Sequence, residues 1–372
     1  MIGAAIRTLR QALRWTQKRL ANEVGCHQTS VSRWERLLGE PTGARRSRLE
    51  SLLRSHAQLS QREEQRRAIL QRLNGRHVVL SVSGGKDSAA TSLFLSELGI
   101  EHERVFLDTG WESDVTYEYL RGELASHIGS IKWLAAPRQM EELILHKGMF
   151  PSKRSRWCTQ ELKVFPMARY LRGLLDDGID VVNAVGIRAA ESEARSLLPE
   201  WEWQDAFDCE VWRPLLRWTL EQFIEIHRRH GLRPNPLYLL GAHRVGCWPC
   251  IYARKSEIRL IAERDPARIV RLKVLEERVE GLAQLRAERA GRELTNPPAW
   301  FQNPSPTGHR AGPDGRYDGS CWPIERVVDW SRSAPRGRAV DADEFLLGVE
   351  RDGCMRWGLC ETGSPSTELV HA

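Results

Sequence analysis

Apolar residues recur along this chain with two different spacings, and the spacings separate its front from the rest. In the first 57 residues they fall three or four positions apart, as on one face of a helix. The pattern predicts three short helices, one ending near Trp15, one over 16–24 and one over 27–37. Thr16 is suited to cap the second helix, and Gly25 supplies a tight turn before the third. The front is therefore predicted to be a small all-α domain.

From residue 76 on, short apolar or β-branched runs alternate with amphipathic stretches. Four runs predict strands, at 77–83, 103–108, 131–136 and 180–187. Alternation of this kind implies an α/β fold with a doubly wound parallel sheet. The polar segment 58–75 ends at Asn74-Gly75 and is predicted to be a helical linker between the two domains.

The strand pattern ends near residue 270. A long charged helical region follows the α/β domain, with a break expected at Pro266. The segment 293–340 is rich in Pro, Gly and Arg, and we expect a long loop or lid there. The predicted organisation is thus a helical domain at 1–57, a linker at 58–75, an α/β domain at 76–270 and a helical and loop-rich C-terminal region at 271–372.

The charge distribution bears on the partner of the front domain. Residues 1–75 hold 15 Lys and Arg against 6 Glu, a net charge of +9, whereas the 372-residue chain carries +6, so the remainder sums to −3. Concentrated positive charge favours a polyanion as the partner, with a solvated arginine face as the alternative. No apolar run approaches the roughly 18 residues of a membrane span, and arginines interrupt the N-terminus. We therefore expect a cytoplasmic protein with no membrane partner.

The motif "TQKRLANEVGCHQTSVSRWERL" favours DNA as the polyanion. Over about the first 57 residues the sequence resembles the Cro and phage-repressor type of helix-turn-helix domain. The resemblance implies that the start of the third helix enters the major groove of double-stranded DNA. The candidate contacts are Gln28, Thr29, Ser30, Ser32 and Arg33. A three-helix bundle used for protein contact is the alternative, and a homodimer is left open.

A glycine-rich turn follows the first predicted strand of the α/β domain. In "VSGGKDS" the backbone N–H groups of Gly84 and Gly85 are able to approach an anion at the start of the next helix, and Lys86 adds a positive charge. Hydroxyl donors come from Ser81, Ser83 and Ser88. The spacing is neither that of a Walker A loop nor that of a dinucleotide-binding turn. The turn therefore predicts a phosphate site of another type.

"SGGKDS" resembles the PP-loop of the ATP pyrophosphatases, which split ATP between its α and β phosphates. "FLDTGWESDVTYEYL", "KRSRWCTQELKVFP" and "GIRAAESEARS" resemble segments of the phosphoadenosine phosphosulfate (PAPS) reductase family, so the resemblance covers residues 76 to about 270. It implies an adenine nucleotide or sulfonucleotide bound by Ser81, Ser83, Gly84, Gly85, Lys86, Asp87, Ser88, Asp108, Thr109, Gly110, Lys153, Arg156, Lys163, Gly186 and Arg188. The catalytic candidates are Lys86, Asp87, Asp108 and Arg188, with Asp87 or Asp108 helping to hold Mg²⁺ beside ATP.

The eight cysteines are too few for a disulfide scaffold in a chain of this length. Cys247 and Cys250 form a C-x-x-C pair, and Cys158 lies in the basic segment. They resemble the cluster-bearing branch of the family, which includes the sulfurtransferase of DNA phosphorothioation systems. The resemblance implies a 4Fe-4S cluster, with zinc as the alternative. Cys360 is the predicted fourth ligand, and Cys354 is its alternative.

The complete loop motif favours one of the expected functions. Reductases of this family usually carry a degenerate loop, and many end in a Glu-Cys-Gly tail, whereas this chain has the full loop and lacks that tail. We therefore expect ATP-dependent adenylation and sulfur transfer, with a sulfur donor protein as a further partner. Two alternatives stay open, namely reduction of PAPS or adenylyl sulfate, and a DNA-binding regulator whose α/β domain senses a nucleotide or sulfonucleotide.

Overall fold

A computed structural model describes residues 2–302 and 321–333, and the chain divides into two units at the Asn74-Gly75 bond. The helices described in the first unit are α1 (Ile2–Ala12), α2 (Gln17–Val24), α3 (Gln28–Glu35) and α4 (Gly43–Arg72). The three predicted helices are confirmed. The 30-residue α4 also runs through the predicted boundary at 57/58, so the predicted linker is the second half of a continuous helix.

The first unit is held together by a small apolar core and well-formed turns. Ile6, Leu20, Val31 and Leu49 are fully buried and bring the four helices together. The Thr16 side chain accepts a hydrogen bond from the Arg19 N–H and caps α2. Gly25 adopts φ +76°, a left-handed conformation that favours glycine and turns the chain into α3.

A six-stranded sheet forms the centre of the second unit. Its strands are β1 (His77–Val82), β2 (His102–Asp108), β3 (Ile131–Ala135), β4 (Val181–Val185), β5 (Trp201–Gln204) and β6 (Cys209–Trp212). The strand order is β3-β2-β1-β4-β6-β5, and every pair is parallel except β5 with β6. The predicted α/β fold with a parallel, doubly wound sheet is therefore confirmed, with an antiparallel edge hairpin that the sequence pattern did not indicate.

Helices cover the sheet and extend beyond it. They are α5 (Lys86–Glu97), α6 (Asp114–Tyr119), α7 (Ala125–Ile128), α8 (Met140–Lys147), α9 (Trp157–Thr159), α10 (Phe165–Asp176), α11 (Glu193–Ser196), α12 (Leu220–Arg229), α13 (Pro236–Leu239), α14 (Lys255–Arg264), α15 (Pro266–Arg289) and α16 (Ile324–Arg332). A short antiparallel pair, β7 (Phe301–Gln302) with β8 (Cys321–Trp322), precedes α16. Within the described ranges, no helix combines the length and the apolar character that crossing a bilayer requires.

The central strand β1 explains where ligands are able to reach the sheet. Val78, Val79 and Leu80 are buried, which is typical of a parallel strand covered on both faces. In the register of the sheet, Val78 lies opposite His102 of β2 on one side and Val182 of β4 on the other. The carboxyl ends of β1, β2 and β4 therefore open at one edge, where α/β proteins bind ligands.

The C-terminal part of the second unit differs in one respect from the prediction. The break at Pro266 is confirmed, since Asp265 accepts a hydrogen bond from the Arg268 N–H and begins α15. The predicted loop at 293–340 is wrong for residues 301–302 and 321–333, which contain β7, β8 and α16. Ile324, Val327 and Val328 lie at helical spacing and are buried in the apolar cluster that also holds residues of α14 and α15. The Pro-, Gly- and Arg-rich composition around this helix concealed that spacing.

Candidate active site

The glycine-rich turn lies between the carboxyl end of β1 and the start of α5, as predicted. Gly84 adopts φ +71°, and a Cβ atom there would lie 2.9 Å from Cγ2 of Thr116. At the end of β4, a Cβ on Gly186 would lie 2.7 Å from the Cα of Ser88. Both positions therefore require glycine, because the turn is in close contact with its neighbours on two sides.

Backbone donors of the turn are available to an anion. The N–H groups of Gly84 and Gly85 have no hydrogen-bond partner among the described residues. The Lys86 N–H donates to the Tyr238 hydroxyl over 3.3 Å, a long hydrogen bond. These groups stand at the N-terminus of the 12-residue α5, where the helix dipole favours negative charge.

The serine hydroxyl groups in and before the turn differ in their hydrogen bonds and in their exposure. Ser88 Oγ accepts a hydrogen bond from the Ser83 N–H at 3.1 Å and donates to the Gly85 carbonyl oxygen at 3.1 Å. Ser88 therefore fixes the shape of the turn, while the Ser83 side chain lies at its exposed surface. Ser81 is half-buried within β1, where it pairs with Val105 and Val185.

Three charged side chains meet beside the turn. Lys86 is only 8% exposed, and its Nζ lies 3.3 Å from Asp87 Oδ2 and 4.9 Å from the centroid of the Tyr238 ring. The Arg188 Nε donates to Asp87 Oδ1 at 2.6 Å. Two cations thus share one carboxylate. The group carries a net positive charge, which suits a phosphate ligand.

Residues distant in sequence support the turn from behind. The buried Asn235 donates through Nδ2 to the Gly84 carbonyl oxygen at 3.3 Å and lies equally close to Thr116 Oγ1. The Nε2 of His227 donates to the Lys86 carbonyl oxygen at 2.9 Å. Burial lowers the pKa of His227, which keeps its ring neutral. No local pattern in the sequence relates His227 or Asn235 to the turn, so neither residue could be predicted as part of the site.

A hydrogen-bonded acidic group lies at the carboxyl end of β2. Asp108 Oδ1 accepts hydrogen bonds from the Gly110 N–H at 2.9 Å and from the Tyr117 hydroxyl at 2.7 Å. The buried Thr109 donates to Glu112 instead, so its hydroxyl shapes the loop and is not presented to a ligand. Burial, reinforced by Glu112, raises the pKa of Tyr117, so this hydroxyl remains a proton donor.

The C-x-x-C turn is attached to the loop after β2. Cys247 forms a β-bridge with Glu112, and the Trp248 N–H donates to the Trp111 carbonyl oxygen at 2.8 Å. The Trp111 ring N–H donates in return to the Pro249 carbonyl oxygen at 3.1 Å. The Val245 carbonyl oxygen would lie 3.9 Å from a Cβ on Gly85. The segment that carries the two thiols therefore begins beside the glycine-rich turn.

Cys158 and Lys163 belong to the same electrostatic group as these thiols. The π-helical turn Gln160–Val164 follows Cys158, and a five-residue spacing in such a turn brings Cys158 and Lys163 to one face. Burial raises the pKa of Cys247 to about 12, and burial together with the neighbouring Cys250 raises the pKa of Cys158. The proximity of Cys247 in turn raises the pKa of Lys163. Three of the four predicted thiol ligands thus lie close enough to Lys163 to affect its pKa.

The thiols have the chemistry of soft-metal ligands, but they do not form a closed metal site. Among residues 2–302 and 321–333, no three His, Cys, Asp or Glu side chains are arranged to hold a metal ion. The predicted fourth ligand, Cys360, and its alternative Cys354 lie outside the described residues. Cys209 is buried among apolar side chains of the sheet, such as Val79, as expected for a small core residue.

The basic segment forms a separate surface beside the thiols. Hydrogen bonds between Ser152 and Ser155 close a turn that exposes Lys153. Lys153 Nζ and Arg156 Cζ lie 5.8 and 5.5 Å from the centroid of the Tyr252 ring. The predicted nucleotide-binding residues therefore fall into one group around Lys86 and Arg188 and a second group around the thiols and Tyr252.

In the first unit, the predicted DNA contacts lie on α3. Gln28, Thr29 and Arg33 are exposed, whereas Ser30 and Ser32 are half-buried. The His27 ring accepts a hydrogen bond from the Thr29 N–H and caps α3. The exposed edge of this helix therefore offers an amide, a hydroxyl and a guanidinium to a ligand.

Two family models match the chain. Residues 77–253 match the phosphoadenosine phosphosulfate reductase domain, and residues 6–59 match a helix-turn-helix domain. An uncharacterized 37.8 kDa protein of Escherichia phage 186 is 36% identical over 244 residues, which cover 52% of this chain and 72% of the phage protein. The chain therefore contains a phosphoadenosine phosphosulfate reductase domain, preceded by an N-terminal helix-turn-helix domain.

Further relatives have names that refer to sulfonucleotides. The adenosine 5'-phosphosulfate reductase of Chelativorans is 30% identical over 178 residues, which cover 45% of this chain and 66% of that protein. A solved PAPS reductase from Candida auris in complex with phosphate is 19% identical, with a TM-score of 0.37, over 46% of this chain and 81% of that one. The structural likeness is too weak to carry an argument about function.

Proposed function

We propose that the second unit binds ATP with Mg²⁺, splits it between the α and β phosphates, and transfers sulfur to the adenylated acceptor. One observation carries this proposal. The Gly84 and Gly85 N–H groups have no hydrogen-bond partner among the described residues, and they lie beside Lys86 at the start of α5. Such a turn stabilises a pyrophosphate leaving group, which ATP has and a phosphosulfate does not.

Each charged residue of the site has a role in this proposal. Lys86 neutralises the phosphate that becomes the leaving group, and Arg188 contacts the same phosphates from the end of β4. Asp87 is already shared by these two cations, so it holds them in position. Asp108 accepts its hydrogen bonds through Oδ1 alone, which leaves Oδ2 as the better ligand for Mg²⁺.

The proposed reaction proceeds in two displacements. An oxygen of the acceptor attacks the α phosphorus, the bond between that phosphorus and the bridging oxygen breaks, and pyrophosphate leaves with its electron pair. Sulfur at the oxidation level of hydrosulfide, supplied directly or by a donor protein, then attacks the carbon that carries the adenylated oxygen. The bond between this carbon and that oxygen breaks, and AMP leaves with the oxygen and its electron pair. The preorganised N–H groups of the turn favour the first step, because negative charge builds up on the leaving group.

We also propose a 4Fe-4S cluster held by Cys158, Cys247, Cys250 and Cys360, with zinc as its rival. The support is the proximity of three thiols and of Lys163, whose positive charge partly offsets the burial that raises the pKa of Cys158 and Cys247. No step of the reaction above passes through the cluster. Protein purified without oxygen should contain about four iron and four sulfide ions per chain. Cys247→Ser should lose them and Cys209→Ser should keep them, whereas zinc without iron would contradict the cluster.

The first unit is proposed to bind double-stranded DNA through α3. The +9 charge of residues 1–75 supports this role, because phosphate contacts give nucleic-acid affinity its electrostatic part. The exposed Gln28, Thr29 and Arg33 are suited to base edges and phosphates. A shift assay at low salt with the full chain tests it, and the absence of any DNA binding would indicate a protein-contact bundle.

Reduction of adenylyl sulfate is the second candidate function. It is favoured by the names of the relatives called adenosine 5'-phosphosulfate reductase. Calorimetry with ATP, adenylyl sulfate and PAPS, each with Mg²⁺, distinguishes the candidates. The first proposal requires ATP to bind more tightly than either sulfonucleotide. Tight binding of a sulfonucleotide with no binding of ATP would favour the reductase.

A further inference from the structure

An exposed aromatic ring lies within 6 Å of two cations, in the segment that follows the C-x-x-C pair. Tyr252 is 37% exposed, and Lys153 Nζ and Arg156 Cζ lie within 6 Å of its ring centroid. We call these three residues the Tyr252 platform. Cation–π attraction at such distances contributes little at an exposed site, so it does not by itself explain why both cations lie there.

The platform is firmly attached to the protein. The Ala253 N–H donates to the Cys250 carbonyl oxygen at 2.8 Å and closes the turn that carries Tyr252. Ile251, the residue before it, lies in the apolar cluster around Trp111. The Ser152–Ser155 hydrogen bonds fix the opposite side. The ring is therefore presented by an ordered turn, two residues from one thiol, while Arg156 is two residues from another.

The charge around the ring is unbalanced. Lys153, Arg154 and Arg156 are exposed, and none of them forms an ion pair with a carboxylate of the described residues. The chain after residue 75 is net negative, at −3, so this concentration of positive charge is local. An unpaired cationic surface on an otherwise acidic unit favours an anionic ligand.

An aromatic face combined with flanking cations is the combination that binds single-stranded nucleic acid. Bases stack on aromatic side chains, and lysine or arginine contacts the phosphates on either side. A base stacked on Tyr252 requires one of the two cations to leave the ring face. Arg156 donates a hydrogen bond to Thr159 Oγ1, whereas Lys153 has no hydrogen bond or ion pair in the described part of the chain and is free to move. A flexible cation that moves from the ring to a phosphate gains a stronger contact.

We propose that the Tyr252 platform binds a nucleotide unit of a single-stranded nucleic acid and holds that strand beside the thiols. The role of the bound strand rests on the proposed sulfur transfer, in which the strand would present the sulfur acceptor. Binding itself is independent of turnover. A failure of strand binding and a failure of ATP chemistry are therefore distinguishable.

Fluorescence anisotropy tests the platform with a labelled oligothymidylate of about ten nucleotides, a length within the range of such sites. The full chain is used, with excess unlabelled duplex DNA to occupy the first unit. Tyr252→Ala should weaken strand binding about tenfold, and Tyr252→Phe, which keeps the ring, should change it less than about twofold. Lys153→Gln with Arg156→Gln should reduce the salt dependence of binding.

Three results would overturn the proposal. Equal affinity of the Tyr252→Ala protein and the wild type would exclude stacking, and equal losses in the Ala and Phe variants would exclude a role of the ring. Competition by thymidine monophosphate as effective as that of the strand would indicate a mononucleotide site. Photochemical cross-linking of the wild type to an oligonucleotide that contains 5-iodouracil provides a check that needs no variant. The proposal requires the cross-linked peptide to contain Tyr252.

Discussion

Lys86→Ala tests the phosphate site most sharply among single substitutions. The ammonium group is 8% exposed and has no carboxylate partner besides Asp87 among the described residues, so its attraction to a bound phosphate is only weakly screened. A hydrogen bond to a charged group contributes about 1.5–3 kcal/mol. The dissociation constant for ATP should therefore rise about 10- to 150-fold.

Isothermal calorimetry with ATP and Mg²⁺ measures this change. Lys273→Ala is the matched control, because that lysine is exposed and pairs with Glu325 at the surface of α15. It should leave the affinity within about twofold of the wild type. Thermal unfolding of both variants shows whether each is folded. A folded Lys86→Ala protein that binds ATP as tightly as the wild type would refute the assignment of the phosphate site.

Three further predictions concern the turn, a buried acid and the DNA surface. Gly84→Ala should lose about 1–2 kcal/mol of stability to left-handed backbone strain, and the contact of its Cβ with Thr116 should abolish ATP binding. Gly75→Ala is the control: its backbone is also left-handed, but a Cβ there has no atom within 4 Å, so this variant should lose stability and keep ATP binding. Burial raises the pKa of Glu276 to about 7, because the folded protein favours the neutral carboxylic acid. The contribution of this acid to the free energy of unfolding is therefore fully present below about pH 4.5 and is lost as the pH rises through 7. Urea unfolding at pH 5 and pH 8 should show this loss in the wild type and a smaller one in Glu276→Gln. Arg33→Ala should weaken duplex binding and lower the slope of log K against log salt by about one, and an unchanged slope would place Arg33 away from the phosphates.

Local sequence patterns predict those parts of the fold that depend on neighbours in sequence. The helical spacing of the first unit, the buried run of β1 and the glycine turn at Gly84 are all encoded within a few residues, and the structure contains each of them. The hairpin of β5 and β6 escaped prediction because each strand is only four residues long, the shortest length over which alternation is recognised.

Local patterns do not predict the residues that contact the glycine-rich turn from distant parts of the sequence. His227 contacts a residue 141 positions away, and Asn235 contacts one 151 positions away. The Tyr238 ring is buried against Lys86, and its hydroxyl accepts a hydrogen bond from the Lys86 N–H of the turn. Only the folded chain brings these side chains together, because α12 and α13 follow the whole sheet in sequence.

The products released under anaerobic conditions test the central claim most directly. The full chain is incubated in two parallel reactions. The first contains ATP, Mg²⁺, hydrosulfide and a single-stranded oligonucleotide, and the second contains adenylyl sulfate and a thiol reductant. Pyrophosphate and sulfite are measured in both. The proposed function predicts pyrophosphate from the ATP reaction, its loss in Lys86→Ala, and no sulfite from the other reaction. Sulfite from adenylyl sulfate without pyrophosphate from ATP would contradict it.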